Sequence, residues 1–179
     1  MTSSTPPSPF TPLEGGCACG KVRYRLEVEP FAVHACHCRH CQKESGSAYQ
    51  LNYGIETANI TFTTPKENLI VVMKPSETGE GLPMARCATC YICIYHQNPI
   101  MGPAGSFVKV GTLDEIPSWI RPISHLFVRS KLPFVVIPED VKTWQTFPES
   151  MDYYPEESAR RMVALMPEIH KTINDLKSG

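Results

Sequence analysis

The chain reads as a mainly β domain of short antiparallel strands that ends in an α-helical extension. Three observations point there. Val22, Tyr24, Leu26 and Val28 alternate with Lys21, Arg23, Arg25 and Glu27, the period of a half-buried strand. Seventeen prolines in 179 residues cut the rest into brief segments, which argues against long helices before the C-terminus. From Pro155 to Lys177 the period changes, and Met162, Met166, Ile169, Ile173 and Leu176 recur at spacings of 4, 3, 4 and 3, one face of a helix.

Taken in order, residues 1–12 carry four prolines with Ser and Thr and read as a disordered leader. Order begins near Leu13, where Gly15 and Gly16 let the backbone fold tightly around the first two cysteines. After the strand over Lys21–Val28, further strands are predicted at Ala48–Tyr53, Asn59–Thr63, Leu69–Met73 and Phe107–Gly111, then at His125–Ser130 and Phe134–Ile137. Turn residues separate them at short intervals, so one mostly antiparallel domain is expected over 13–147. Residues 148–179 form the extension, whose apolar face packs on the sheet, and Pro167 predicts a kink or two short helices.

Lys and Arg number 17 against 18 Asp and Glu, and no basic run exceeds two residues. That balance argues against an electrostatic nucleic-acid footprint. No apolar stretch approaches membrane-spanning length, and the N-terminus lacks the basic and apolar regions of a signal peptide. A soluble protein in a reducing, cytoplasmic setting is the expectation.

The eight cysteines fall into three clusters: Cys17-x-Cys19, Cys36-x-Cys38-x-x-Cys41, and Cys87-x-x-Cys90-x-x-Cys93. Such spacing favours a soft divalent metal, most often zinc, over disulfides. Two pairs close one tetrahedral site. Cys17, Cys19, Cys87 and Cys90 are read in this way, as a structural zinc with no vacancy for substrate. The triad Cys36, Cys38 and Cys41 packs three sulfurs into six residues and leaves a fourth position open, with His37, His40 and Cys93 as candidates to fill it. Three thiolates weaken zinc as a Lewis acid, so making hydroxide does not suit it. A soft exogenous thiol does, bound as thiolate. The plainer reading is a second structural zinc closed by a histidine or by Cys93. Arg39, Gln42 and Lys43 can meet a carboxylate or stand in a solvated loop. Gly46 can admit a ligand close to the backbone or make a turn. His125 reads as a satisfied core residue and Cys93 as a buried hydrophobe.

Gly15-Gly-Cys-Ala-Cys-Gly-Lys-Val-Arg-Tyr24, Cys36-His-Cys-Arg-His-Cys-Gln-Lys-Glu-Ser-Gly46 and Arg86-Cys-Ala-Thr-Cys90 resemble, in that order, three motifs of the glutathione-dependent formaldehyde-activating enzyme family. The domain of that family also occurs in centromere protein V. Val110-Gly-Thr-Leu-Asp114 and Arg121-Pro122 through His125-Leu-Phe-Val-Arg-Ser-Lys131 are similar to its second half. The resemblance covers about residues 13–147 and implies a zinc-bearing β-tent fold with two zinc sites. The closed site would be Cys17, Cys19, Cys87 and Cys90, and the reactive one Cys36, Cys38 and Cys41; beside it, our reading of the residues themselves sets Arg39, His40 and Gly46 toward the substrate. The resemblance also implies a carbon–sulfur lyase activity, the reversible joining of glutathione and formaldehyde to give S-hydroxymethylglutathione. Partners would be a small-molecule thiol such as glutathione and a small electrophile, with no nucleic acid and no membrane.

One residue departs from the pattern. The family has Gly directly after the second cysteine of the third motif, and here it is Tyr91. If that position needs φ > 0, tyrosine is strained there, or the ligand pair shifts to Cys90 and Cys93. Beside the lyase stand two further readings: an enzyme repurposed for a biosynthetic step on a larger organic substrate, and a non-catalytic zinc or glutathione-binding module.

Overall fold

The computed structural model describes residues 9–77, 79, 81–97, 101–148 and 154–178. Its elements, in chain order, are β1 (Leu13–Gly16), β2 (Arg23–Leu26), β3 (Ala32–Cys36), α1 (Arg39–Ser45), β4 (Gln50–Glu56), β5 (Ile60–Phe62) and β6 (Leu69–Lys74). There follow β7 (Leu82–Cys87), β8 (Cys93–Gln97), β9 (Gly105–Lys109), β10 (Ser124–Leu126), β11 (Lys142–Trp144) and α2 (Glu156–Ser178). A three-stranded sheet runs β1-β2-β5, and an eight-stranded sheet runs β11-β10-β3-β4-β9-β8-β7-β6. The mainly β expectation holds. Pairing is antiparallel except that β10 lies parallel to both β3 and β11, so the large sheet is mixed.

The two faces of the large sheet differ in character, and register shows why. Val33, Tyr53, Val108 and Tyr95 stand opposite one another across β3, β4, β9 and β8. They pack on Tyr24, Leu26 and Ile60 of the small sheet to form the main core. The alternation read in Val22, Tyr24 and Leu26 is this contact, for all three are buried. Gly15 opposes Tyr24, and a Cβ on it would fall 2.5 Å from the Tyr24 hydroxyl, so only glycine admits that close approach. The other face carries His34, Asn52 and Lys109 in one row, then Phe107 and His96 in the next. All five are buried.

Several elements escaped the sequence reading. β3 is buried along its whole length, so it lacks the alternation that marks a half-buried strand. β7 contains Pro83, which reads against a strand, and its pairing with β8 slips by a bulge between Ala85 and Arg86. The predicted strand at Phe134–Ile137 does not form. Its Phe134 and Val136 are exposed, and Lys131 Nζ donates to the Val135 carbonyl at 2.7 Å instead. The strand predicted over His125–Ser130 stops at Leu126, because Phe127 turns to φ 57° and a 3₁₀ turn follows.

α2 is one continuous helix with Pro167 inside it, so of the two expected alternatives, a kink or two short helices, the two separate helices do not form. Met162 and Ile169, on either side of the proline, are buried in one cluster with Phe31, Met101, Ala104 and Phe107. That shared anchorage offsets the backbone hydrogen bond that proline removes. The side chains of Ile173 and Leu176, also assigned to this face, lie outside the described residues. Of the predicted leader, residues 1–8 lie outside the description, and Phe10 packs edge-on against Trp119 with ring centroids 6.2 Å apart. Among the described residues no helix is long and apolar enough to cross a membrane.

Arg161 fastens α2 to the sheet. Its Nε and Nη2 donate to the Glu56 carboxylate at 2.8 and 2.5 Å, its Nη1 to the Glu29 carbonyl at 2.9 Å, and its guanidinium lies 4.7 Å from the Phe31 ring centroid. Burial by itself raises the Glu56 carboxyl, but the Arg161 guanidinium, with hydrogen bonds from the Glu56 backbone and Asn59, outweighs it and holds the group below its ordinary 4.5. A depressed folded value contributes stability above the ordinary value, and that contribution is lost as pH falls from 4.5 through the folded value. Arg161→Met should therefore destabilise the protein by about 2 kcal/mol at neutral pH. The gap to wild type should narrow as the solution is acidified below 4.5, read by thermal unfolding across pH.

Candidate metal centres

The first centre joins the two sheets. Cys17 and Cys19 follow β1, while Cys87 ends β7 and Cys90 lies in the turn to β8. The four sulfurs all lie within 4.8 Å of one another. Cys17 Sγ is 3.4 Å from Cys19 Sγ, which is 3.6 Å from Cys87 Sγ. Both distances are near the edge of about 3.8 Å for a tetrahedron with a Zn–S bond of about 2.3 Å. Backbone N–H groups point at the sulfurs: Val22 N–H at Cys17, and those of Thr89 and Cys90 at Cys87. Burial opposes ionisation of Cys17 and Cys87, yet with these donors and the neighbouring sulfurs both thiols fall below their ordinary value. All eight cysteines are unbridged. A donor set of four thiols with amides aimed at the sulfur suits a soft divalent metal.

Tyr91 has φ 61°, the left-handed conformation that the missing glycine would take without cost. Its N–H reaches the Cys87 carbonyl and the Cys87 N–H reaches the Ile92 carbonyl, both at 3.0 Å, closing the turn around Cys87 and Cys90. Tyrosine therefore keeps the backbone of the turn and bears its strain. Cys93 stands apart from this group, buried on β8 with its thiol toward the Tyr95 carbonyl at 3.5 Å.

The second centre forms where β3 runs into α1. Cys36 is the last residue of β3, Cys38 caps α1 and Cys41 lies in its first turn, so one tight strand-to-helix junction supplies all three. Their sulfurs lie within 4.8 Å of one another, and all three residues are buried. Cys38 Sγ takes the place of the usual capping oxygen, accepting from the Cys41 N–H at 3.3 Å. Contacts from the Cys36 and Cys41 thiols, then the N–H groups of Cys41 and His40, push the Cys38 thiol down to about 2. Cys36 is driven up by Cys38 and Cys41, whereas the contact with Cys36 lowers Cys41 but Cys38 and burial outweigh it and push Cys41 up to about 11. Among the described residues no histidine, carboxylate or further cysteine joins this group as a fourth ligand.

Phe127, the second non-glycine residue with positive φ, packs against the three cysteines and excludes water from one side of them. His37 points elsewhere. Its Nε2 lies 2.8 Å from His125 Nδ1, the two rings stack, and Tyr49 closes over both. Burial, then His125 and Lys131, push His37 down to about 4, which keeps it neutral at physiological pH. His125 is buried and partnered.

Arg39 is exposed and its guanidinium donates to the Gln42 side chain. His40 is half-buried and its carbonyl accepts from Lys74 Nζ at 3.0 Å. Gly46, at φ 63°, is the C-cap of α1, its N–H bonded to the Gln42 carbonyl. Gln42 itself is buried, donating to the carbonyls of His37 and Ser130 and so tying the junction to the 3₁₀ turn that follows β10. Glu44 holds the other side of α1 against the sheet through Arg86 at 2.5 Å and Lys74 at 4.0 Å. Sequence inspection missed Lys109, His96, Gln50 and Asn52, whose buried side chains meet beside this junction. No spacing links them, since they lie on three strands far apart in the chain.

Cys87→Ser should cost the cooperative unfolding transition or lower its midpoint by many degrees, because it opens the link between the sheets. Tyr91→Gly should raise stability by about 1 kcal/mol, since its exposed ring loses little and the backbone strain is relieved. Thermal unfolding of reduced, metal-loaded protein checks both.

The comparisons with known proteins bear on this arrangement of sulfurs. A search of curated proteins finds no match. Among solved structures, a Rhodobacter sphaeroides protein is similar at 23% identity and a TM-score of 0.45, over 59% of this chain and 92% of that one. The family model for the glutathione-dependent formaldehyde-activating enzyme matches residues 12–130, a span that holds both sulfur clusters and excludes β11 and α2. The chain belongs to the glutathione-dependent formaldehyde-activating enzyme family.

Proposed function

We propose that this protein is a zinc-dependent carbon–sulfur lyase or thiol-adduct enzyme that joins and cleaves adducts of glutathione with formaldehyde or a related small electrophile. The observation that carries the reading is the three-sulfur group, buried and without a fourth ligand among the described residues, beside a separate four-sulfur group. Cys17, Cys19, Cys87 and Cys90 would hold a structural zinc and Cys36, Cys38 and Cys41 a reactive one. Zinc at three thiolates stabilises an incoming thiol as thiolate near neutral pH.

The chain's own residues do the rest. The α1 junction fixes three donors within one turn, so little ordering entropy is lost on assembly. Phe127 shields the sulfurs from water. In the forward direction the glutathione sulfur forms a bond to the carbonyl carbon, the C=O π pair moves to oxygen, and the thiol proton ends on that oxygen as hydroxyl. Cleavage runs the same bonds in reverse, returning the proton to sulfur. Arg39 and His40, at the start of α1, would meet the carboxylates of the glutathione backbone. Gly46 caps the far end of that helix and would shape the loop beyond it.

Reduced wild-type protein should bind about two zinc ions, and Cys38→Ser about one while still folding cooperatively. Calorimetric titration with glutathione should show binding to the wild type that is lost with the second metal, and S-hydroxymethylglutathione exchange by NMR should disappear with it. A wild type holding one zinc, or a Cys38→Ser variant binding glutathione undiminished, would leave the triad a structural or scaffolding site.

A further inference from the structure

Lys109 is a buried cation with no carboxylate among its hydrogen-bond partners. It lies on β9 with about 5% of its surface exposed, on the face of the large sheet that is turned away from the main core. Its Nζ is 2.9 Å from Gln50 Oε1, 2.9 Å from Asn52 Oδ1 and 2.6 Å from His96 Nδ1. Two amide oxygens and an imidazole nitrogen accept from the three hydrogens of an ammonium, with the His96 proton on Nε2. All three partners are neutral. The carboxylate of Glu44 is already shared by Arg86 and Lys74, so it leaves the region with excess positive charge.

A cation held in this way carries a heavy desolvation cost unless an anion stands nearby. Here the anions would be the metal-bound thiolates of Cys36, Cys38 and Cys41. Gln50, which holds Lys109, is the cross-strand partner of Cys36, so one side chain separates the ammonium from the three-cysteine junction. Burial pushes Lys109 toward neutrality, while the fields of Cys93, Cys41 and Cys36 oppose that.

A divalent metal with three thiolates bears a net negative charge, and a fourth thiolate doubles it. Gathering that charge in a dry junction is unfavourable without a compensating cation. We propose that Lys109, held by Gln50, Asn52 and His96, is the counter-charge of the three-cysteine centre, a positioning residue that lets an anionic sulfur ligand join the three thiolates. This rests on the reading of the triad as a metal centre with a position for a thiol.

The test uses the full chain loaded with Co²⁺ under reducing conditions, with the ligand-to-metal and d–d absorption bands as the readout. Wild type, Lys109→Met and Lys109→Arg are each titrated with glutathione, with thiocyanate as a simple anion, and with imidazole as a neutral ligand. Lys109→Met should weaken both anions by roughly tenfold and leave imidazole within about twofold, because only the charged ligands feel the lost cation. Lys109→Arg should restore most of the loss. Equal weakening of anions and imidazole, or no change in either, overturns the proposal and leaves Lys109 a structural residue. Should the Met variant fail to unfold cooperatively, Lys109→Gln poses the same comparison with a polar, neutral side chain. Wild type that takes up thiocyanate but not glutathione would sink the thiol reading and leave the Lys109 comparison standing on thiocyanate. Uptake of neither anion by wild type sinks both.

Discussion

Cys17 and Cys19 leave the small sheet while Cys87 and Cys90 turn the β7–β8 hairpin, and their four sulfurs meet within 4.8 Å. These segments are about seventy positions apart, so their meeting fixes how the two sheets pack. Cys17 and Cys87 are themselves part of the main core with Tyr24, Tyr53 and Val108. A metal held by these sulfurs would stabilise the same interface as the apolar contact, each limiting the freedom that would otherwise oppose the other. The close approach of β1 to β2 at Gly15 and Gly16 and the strained turn at Tyr91 both lie beside those sulfurs.

The second cluster is built on a different principle. Cys36, Cys38 and Cys41 come from one local junction, so no long-range constraint is needed to gather them. What the fold adds is their setting. β3 carries Cys36 to the end of a central strand, Gln42 and Glu44 clamp α1 to its surroundings, and Phe127 covers the sulfurs in an unfavourable backbone conformation. Beside them the sheet presents a polar face of His34, Asn52, Lys109 and His96, uncommon in the interior of a small domain. Buried polar groups in such number cost stability unless they are partnered, and here Lys109 joins Asn52 and His96.

Much of this was legible in the chain. The cysteine spacings separated a four-sulfur group from a three-sulfur one, and the structure brings the same residues together. The Tyr91 departure predicted a strained backbone if the turn kept its shape, and φ 61° is that strain. Other features were hidden for physical reasons. β3 is buried on both faces, so its sequence shows no period. β7 and β8 are interrupted by Pro83 and a bulge. α1 is two turns of polar and cysteine residues without an apolar stripe, and its helicity comes from the Cys38 and Gly46 caps.

By itself the sequence determined which sulfurs belong together, because thiol ligands need short local spacing that survives in the linear order. It also determined the β character and the C-terminal helix, which are local periodicities. Only the tertiary structure decided what surrounds those sulfurs. Lys109, Gln50 and His96 share no pattern in the chain, and they meet because strand register stacks them on one face. Register is set by the packing of whole sheets, a long-range property that no local window of residues records.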